Sequence, residues 1–255
     1  MEGAEPQAAA QSERNLALRL QYDGTDFAGF QKQPDRRTVQ GELERVLSHL
    51  CGGAVRTFGA GRTDAGVHAT GQVVSFRTAS PIPLDRWPLA VNGELPRDMA
   101  VTGVWSVPDG FHARYSARSR VYRYTLVTGT RWHALLGRVA WLVPWEPDLA
   151  QLQQTAALLP GVRDFRAFGT PRPEEVTTRD LRRAEVEQQG RVVRVTLEAN
   201  AFLRSMARYV VAVLVAVAQG RLDRTDVLKM LETGMRGEGI APAPAQGLCL
   251  TRVSY

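Results

Sequence analysis

The order of its periodic segments constrains this chain more than any other feature. LALRLQY over 16–22 alternates Leu16, Leu18, Leu20 and Tyr22 on one face, the two-residue period of a half-buried strand. TVQGELERVLSHL over 38–50 sets Val39, Leu43, Val46, Leu47 and Leu50 on one helical stripe, with Thr38 placed to cap it. AVRTF (54–58) and GQVVSF (71–76) read as strands, LDRWPLAVNG (84–93) as a short helix and MAVTGVWSV (99–107) as another strand. That run spells β-α-β-β-α-β. Pro108-Asp109-Gly110 then punctuates the chain, and the order returns. VYRYTLV (121–127) alternates as a strand, and DLAQLQQTAALL (148–159) is a helix closed by Pro160-Gly161. RDLRRAEVEQ (179–188) and RVVRVTLEA (191–199) pair as a hairpin across Gln189-Gly190. A long helix runs from Phe202 to Gln219 with Gly220 just past its end. A further helix from Asp223 to Glu232 and a last strand, GLCLTRVSY (247–255), complete the pattern.

Two copies of one supersecondary unit predict an α+β fold. It consists of two ferredoxin-like (βαββαβ) halves with antiparallel sheets and a central cleft where they meet. The expected divisions are a disordered lead-in over 1–14, an N-terminal half over 15–108 and a C-terminal half over 109–255. MEGAEPQAAAQSER has no apolar stretch of the kind a secretory signal needs. YVVAVLVAVA, 209–218, is roughly half of the ~20 apolar residues a membrane span requires, and Arg204 and Arg208 stand just before it. It reads as the buried part of a soluble helix. Cys51 and Cys249 supply neither metal spacing nor a disulfide framework, which fits a reducing, cytoplasmic setting.

The formal net charge of +6 leans towards an anionic partner. Lys32 and Lys229 are the only lysines among 32 basic residues, so arginine, the better bidentate phosphate ligand, carries that charge. Several enzyme classes are excluded, since there is no G-x-S-x-G, no H-E-x-x-H and no G-x-x-x-x-G-K-[ST]. His49, His68, His112 and His133 are scattered without ligand spacing, so no metal site is expected, and they read as surface or cap residues.

Three stretches carry chemistry. In GAGRTDAGVHATGQ (59–72), Gly59-Ala60-Gly61 follows a strand as a dinucleotide fingerprint would. Asp64, however, occupies the third glycine position, and a strand rather than a helix follows, which disfavours a phosphate cradle and a nucleotide-binding enzyme. FHARYSARSRVYRY (111–124) interleaves Arg114, Arg118, Arg120 and Arg123 with Phe111, Tyr115, Tyr122 and Tyr124. Arginines bind phosphates and aromatic faces stack bases, so this stretch slightly favours nucleic acid over a charged edge strand with core tyrosines. By the strand period Tyr122 and Tyr124 share a face and Arg123 points to the other. NAFLRSMARYVV (200–211) puts Arg204 and Arg208 on one helical face. An arginine entering a buried helix either snorkels to the surface or meets a carboxylate or phosphate, and Asp64 is a candidate partner from the other half.

Taken together, these stretches resemble the tRNA pseudouridine synthase A family. GRTDAGVHATGQVVSF is similar to its active-site motif, and further matches run over about 15–255. They are LQYDGTDFAGFQKQ, TVQGELERVL, VNGELPRDMAV, FHARYSARSRVYRY, DFRAF, NAFLRSMARYVV and GLCL. Two positions depart from the family: Phe30, where tryptophan is usual, and Val121, where an arginine often precedes the tyrosine. Both lie off the catalytic positions and bear on local RNA packing.

The resemblance implies isomerisation of uridine to pseudouridine in the anticodon stem-loop of tRNA, around positions 38–40, at bases exposed or flipped out. It also implies a fold of two ferredoxin-like halves, a homodimer, and no metal or organic cofactor. The reaction breaks the C1′–N1 bond, turns the uracil and rejoins it through C5. The isomerisation is redox-neutral, with no net electron transfer, so no redox cofactor is needed. A carboxylate beside the sugar attacks C1′ or removes a sugar proton to give a glycal, and it must be ionised and partly shielded from water. A nearby arginine favours that state. Residue by residue, the resemblance makes Asp64 the catalytic carboxylate and Arg208 its partner. Tyr122 stacks on the target uracil, and its hydroxyl helps remove the C5 proton. Arg62 opens the stem and holds the flipped nucleotide, while Leu248 forms an apolar wall of the uracil pocket. Gly66 supplies a turn, His68 braces the loop, and Asp23 in YDGT is a turn or cap residue. The rival reading is a non-catalytic tRNA-binding or RNA-folding protein on the same fold, for which Asp64 is dispensable. The lack of an RNP1-like aromatic string disfavours ordinary RRM-type recognition.

Overall fold

In the computed structural model, which describes residues 13–131 and 133–255, ten strands form one mixed sheet accompanied by five helices. The lead-in expected over 1–14 lies outside the described residues except for 13 and 14, and Arg14 already begins a strand. The first half comprises β1 (Arg14–Tyr22), α1 (Val39–Cys51), β2 (Thr57–Gly59), β3 (His68–Thr78), α2 (Trp87–Asn92) and β4 (Met99–Ser106). The second comprises β5 (Ser119–Thr128), β6 (Trp141–Val143), α3 (Leu149–Ala156), β7 (Gly161–Asp164), β8 (Thr178–Gln189), β9 (Val192–Ala199), α4 (Met206–Ala218), α5 (Arg224–Thr233) and β10 (Leu248–Ser254).

The N-terminal strands lie in the order β4-β1-β3-β2 and the C-terminal ones in the order β10-β5-β9-β8-β7, antiparallel within each run, while the short β6 pairs parallel with β5. Two separate sheets were expected. A short parallel pairing, Cys249↔His68 and Leu250↔Ala69, instead joins them into one. Strand β3 explains the join. One of its edges is taken by β1, while the other serves β2 at Val74–Phe76 and β10 at His68–Ala69. Backbone groups buried at the junction would otherwise lack partners. The loop between β2 and β3, residues 60–67, therefore emerges where the two halves meet.

Alternation places Leu16, Leu18, Leu20, Val74 and Phe76 on the face covered by α1 and α2. Val193, Val195, Leu197 and Ala199 of β9 join α3 and α4 in the same continuous core. A smaller cluster on the opposite face contains Ala17, Ala60, Val73 and Ala113, with Phe111 and Tyr255 packed against it. Thr38 caps α1 as expected, accepting from the Gly41 N–H at 3.2 Å. Helix α4 is apolar nearly all round because Met206, Ala207 and Val210 to Val217 are all buried. It starts at Met206 rather than Phe202, since Ser205 adopts the left-handed conformation with φ 58° and breaks the predicted helix. Strands β6 and β7, of three and four residues, were not expected, being too short to show a period.

Candidate active site

Loop 60–67 is held from several sides. The Ala60 N–H donates to Val73 O at 2.8 Å and the Val67 N–H to Asp64 O at 3.2 Å, closing a turn in which Gly66 has φ 77°. Gln72 Nε2 donates to Gly61 O at 2.7 Å, and the Tyr22 and Thr63 hydroxyls bond at 2.9 Å. Residues 24–30 support the loop from below. A Cβ on Gly24 would lie 2.0 Å from Val67 O, so only glycine permits this approach. The Phe30 N–H donates to Thr63 O at 3.0 Å, and its ring fills the space where a Gly59 Cβ would be. Phe30 and Val121 are both buried. The two departures from the family pattern thus affect core packing, not an RNA-facing surface.

Asp64 meets the head of α4. Its Oδ2 accepts from Arg208 Nη1 at 3.0 Å and from Ser205 Oγ at 2.8 Å. Among the described residues nothing donates to Oδ1. The pair is partly shielded, with side-chain exposures of 29% for Asp64 and 17% for Arg208. Arg208 Nε donates to Ala243 O at 2.7 Å, which fixes the guanidinium against the chain leading to β10. Arg204 does not share this helical face. It precedes the helix and is exposed, while its carbonyl accepts from the Thr170 N–H. Ser205 is the residue that sequence reasoning missed. Its left-handed backbone turns the hydroxyl towards Asp64, and serine carries no sequence signal for that conformation.

Tyr122 on β5 is buried, pairs across the sheet with Leu250 and Leu197, and meets Phe202 edge-on at 4.9 Å and 80°. Its hydroxyl lies beside the loop, 3.7 Å from where a Gly61 Cβ would stand. Burial, then the neighbouring Tyr22 and Asp64, push this phenol well above the usual tyrosine range, so it stays protonated near neutral pH. Leu248 is buried opposite Tyr124, so Leu250, not Leu248, is the cross-strand partner of Tyr122. Arg62 is exposed and makes no hydrogen bond or ion pair among the described residues. Partial desolvation and the charges of Arg114 and Arg172 lower its pKa, marking a concentration of positive charge at the mouth of the loop.

Arg120, grouped by sequence with the phosphate-binding arginines, is buried and donates to the carbonyls of Ala60, Arg114, Ala117 and Asn200. His68 is buried rather than a surface residue. Its Nδ1 accepts from the Gly24 N–H at 3.0 Å and its Nε2 bonds Gln246 O at 3.1 Å, bracing the loop from both halves. Asp23 caps a 3-10 turn, accepting from the Thr25 N–H. Among the described residues no three of His, Cys, Asp and Glu are grouped as metal ligands would be. Nor is any helix among them long and apolar enough to cross a membrane.

A family model described as tRNA pseudouridine synthase matches residues 20–116 and 155–255 of this chain. The chain is similar to the tRNA pseudouridine synthase A of Chlorobaculum tepidum, 42% identical over 248 residues that cover 96% of this chain and 100% of the relative. It is 40% identical over 243 residues to that of Moorella thermoacetica, covering 94% of this chain and 99% of the relative. With that of Roseiflexus castenholzii it shares 41% identity over 246 residues, covering 95% of this chain and 91% of the relative.

Proposed function

The chain belongs to the tRNA pseudouridine synthase family, and from that premise we propose that it acts on the anticodon stem-loop of tRNA, around positions 38–40, with Asp64 as catalytic carboxylate. It is an isomerase whose substrate is tRNA. The observation that most supports Asp64 is its unequal pair of oxygens: Arg208 and Ser205 both hold Oδ2, and Oδ1 is left for chemistry. Attack on C1′ and removal of a sugar proton each need one such oxygen, fixed in direction and uncommitted.

Tyr122 stacks on the target uracil, its ring kept upright by Phe202. Because its hydroxyl is protonated, it takes the C5 proton only while passing its own to a further acceptor. Arg62, beside Arg114 and Arg172, holds the phosphates of the opened stem. Leu248 and Tyr124 form the apolar wall behind the base. In this reading residues 15–108 and 109–255 are two ferredoxin-like halves, each with the 4-1-3-2 strand order, and the RNA-binding cleft follows the β3–β10 junction. The same reading includes a cytoplasmic homodimer that works without a metal or organic cofactor.

The test is tritium release from tRNA labelled at uridine C5, comparing the wild-type chain with Asp64→Ala. Release by the wild type and none by the mutant, with tRNA affinity retained, supports the assignment. A wild type that binds several tRNAs tightly and releases no tritium would instead be a non-catalytic tRNA-binding protein.

A further inference from the structure

Beside the Asp64 loop three aromatic rings stand in a row at the surface. Phe58 and His112 have centroids 4.7 Å apart at 45°, and His112 and Tyr115 are 4.4 Å apart at 37°. Phe58 is 37% exposed and Tyr115 77%, so the row adds little to the core. The Arg56 guanidinium stands 5.1 Å over the Phe58 ring, and that of Arg114 stands 5.7 Å over Tyr115. Among the described residues the side chains of Arg56, Arg62 and Arg114 make no hydrogen bond or ion pair.

The row is built, not loose. His112 Nδ1 accepts from the N–H groups of Arg114 at 3.1 Å and Tyr115 at 3.4 Å. The His112 N–H donates to Ser116 Oγ at 3.1 Å, and the Ser116 N–H returns to His112 O at 2.9 Å. The Ala113 N–H donates to Ser75 Oγ at 3.1 Å, and Ser75 is the cross-strand partner of Phe58. The β2–β3 pair therefore carries Phe58 and anchors the turn that holds His112 and Tyr115. Burial and the Arg114 charge lower the His112 pKa, so its ring is neutral near pH 7 between its two aromatic neighbours.

The row also adjoins the site. A single Arg120 nitrogen, Nη2, donates to Ala60 O at 2.9 Å and to Arg114 O at 2.6 Å, tying the ring-bearing turn to the Asp64 loop. Arg62, two residues before Asp64, lies within the electrostatic reach of both Arg114 and Tyr115.

We propose that Phe58, His112 and Tyr115 form a stacking platform for an unpaired base of the substrate RNA, next to the nucleotide presented to Asp64, while Arg56, Arg62 and Arg114 take the adjoining phosphates. This rests on the tRNA reading above. Every base has a π-face, so such a platform binds single-stranded nucleotides with little regard to sequence. A paired base inside a duplex offers no free face, so the occupant is a loop or flipped-out nucleotide. The surrounding arginines favour a polyanion over an apolar peptide.

The test uses the full chain and a tRNA transcript carrying 2-aminopurine at an anticodon-loop position flanking the target uridine. Binding is read from the fluorescence and from Kd, separately from tritium release, on Asp64→Ala and on the same chain with a second substitution. Tyr115→Leu and Phe58→Leu are expected each to raise Kd roughly tenfold and to relieve the quenching, with the salt dependence of binding unchanged. Tyr115→Phe, which keeps the ring, should bind like its parent. Arg114→Gln should instead reduce the slope of log Kd against log salt by about one. Leucine variants that bind with parental Kd and quenching overturn the platform. Because affinity and isomerisation are read apart, a wild type that binds but does not isomerise sinks only the isomerase reading.

Discussion

Two donors converge on one oxygen of Asp64, and one of them comes from a strained residue. Ser205 keeps φ at 58°, a conformation that costs a side-chain-bearing residue on the order of 1 kcal/mol. Ser205→Gly removes that strain together with the hydroxyl. Thermal stability should hold or rise, while turnover at saturating tRNA falls roughly tenfold, the worth of a hydrogen bond to a charged group. Ser205→Asn tolerates the left-handed backbone and offers an amide donor, so it should recover part of the rate. A serine serving structure alone would show the reverse, with lost stability and an unchanged rate. At Tyr122 the hydroxyl can be separated from the ring. Tyr122→Phe should bind tRNA normally and release tritium slowly. Since the folded phenol titrates above its ordinary value, raising the pH leaves it protonated for longer. The wild-type rate should therefore show no basic limb from this group up to about pH 10.

At the scale of the element, β5 distributes its arginines differently from what its sequence suggests. Arg123 lies on the exposed side and Arg120 is buried among carbonyls. Arg120→Ala would leave the acceptors of Ala60, Arg114, Ala117 and Asn200 short of a donor inside the protein. A loss of about 2–4 kcal/mol is expected in denaturant unfolding, with the salt slope of tRNA binding unchanged in the folded fraction. Elements with a long period and a cap were legible in the sequence, as α1 and α5 show. Thr38 and Asp223 cap them, and Asp223 completes a capping box with Asp226. The start of α4 was not legible, because nothing in Phe202-Leu203-Arg204-Ser205 opposes a helix. It is the docking of the α4 N-terminus against the Asp64 loop that accompanies the left-handed turn at Ser205.

Across the whole molecule, backbone pairing, hydrogen bonds and ion pairs between distant segments hold the junction near the site. The β3–β10 pairing has two register pairs, and His68 ties Gly24 to Gln246. Arg138 of the second half reaches Asp23 at 3.4 Å and Asp26 at 3.0 Å in the first. Burial alone would raise the Asp23 pKa. Its hydrogen bonds from Thr25 and the charge of Arg138 outweigh that and hold it below its ordinary 3.8. A depressed carboxylate stabilises the fold above its unfolded value and loses that contribution as the pH falls through the folded one. The melting temperature of Asp23→Asn should therefore lie below that of the wild type at neutral pH. The gap should close on acidification past the carboxylate range.

By itself the sequence determined what is local. Periods of two and 3.6 residues named most strands and helices, turn chemistry shaped the loop around Asp64, and the motif marked Asp64, Tyr122 and Arg208 as candidates. Tertiary structure decided which of these meet. Arg208 reaches Asp64 from 144 positions away while Arg204 does not, Ser205 supplies the second donor, and Phe30 lies under the loop. It also decided that two sheets become one. A periodic pattern reports only which side of an element is apolar, over a few residues. The partner of a strand edge or of a buried charge is set by packing between distant segments, where every buried polar group must find its match.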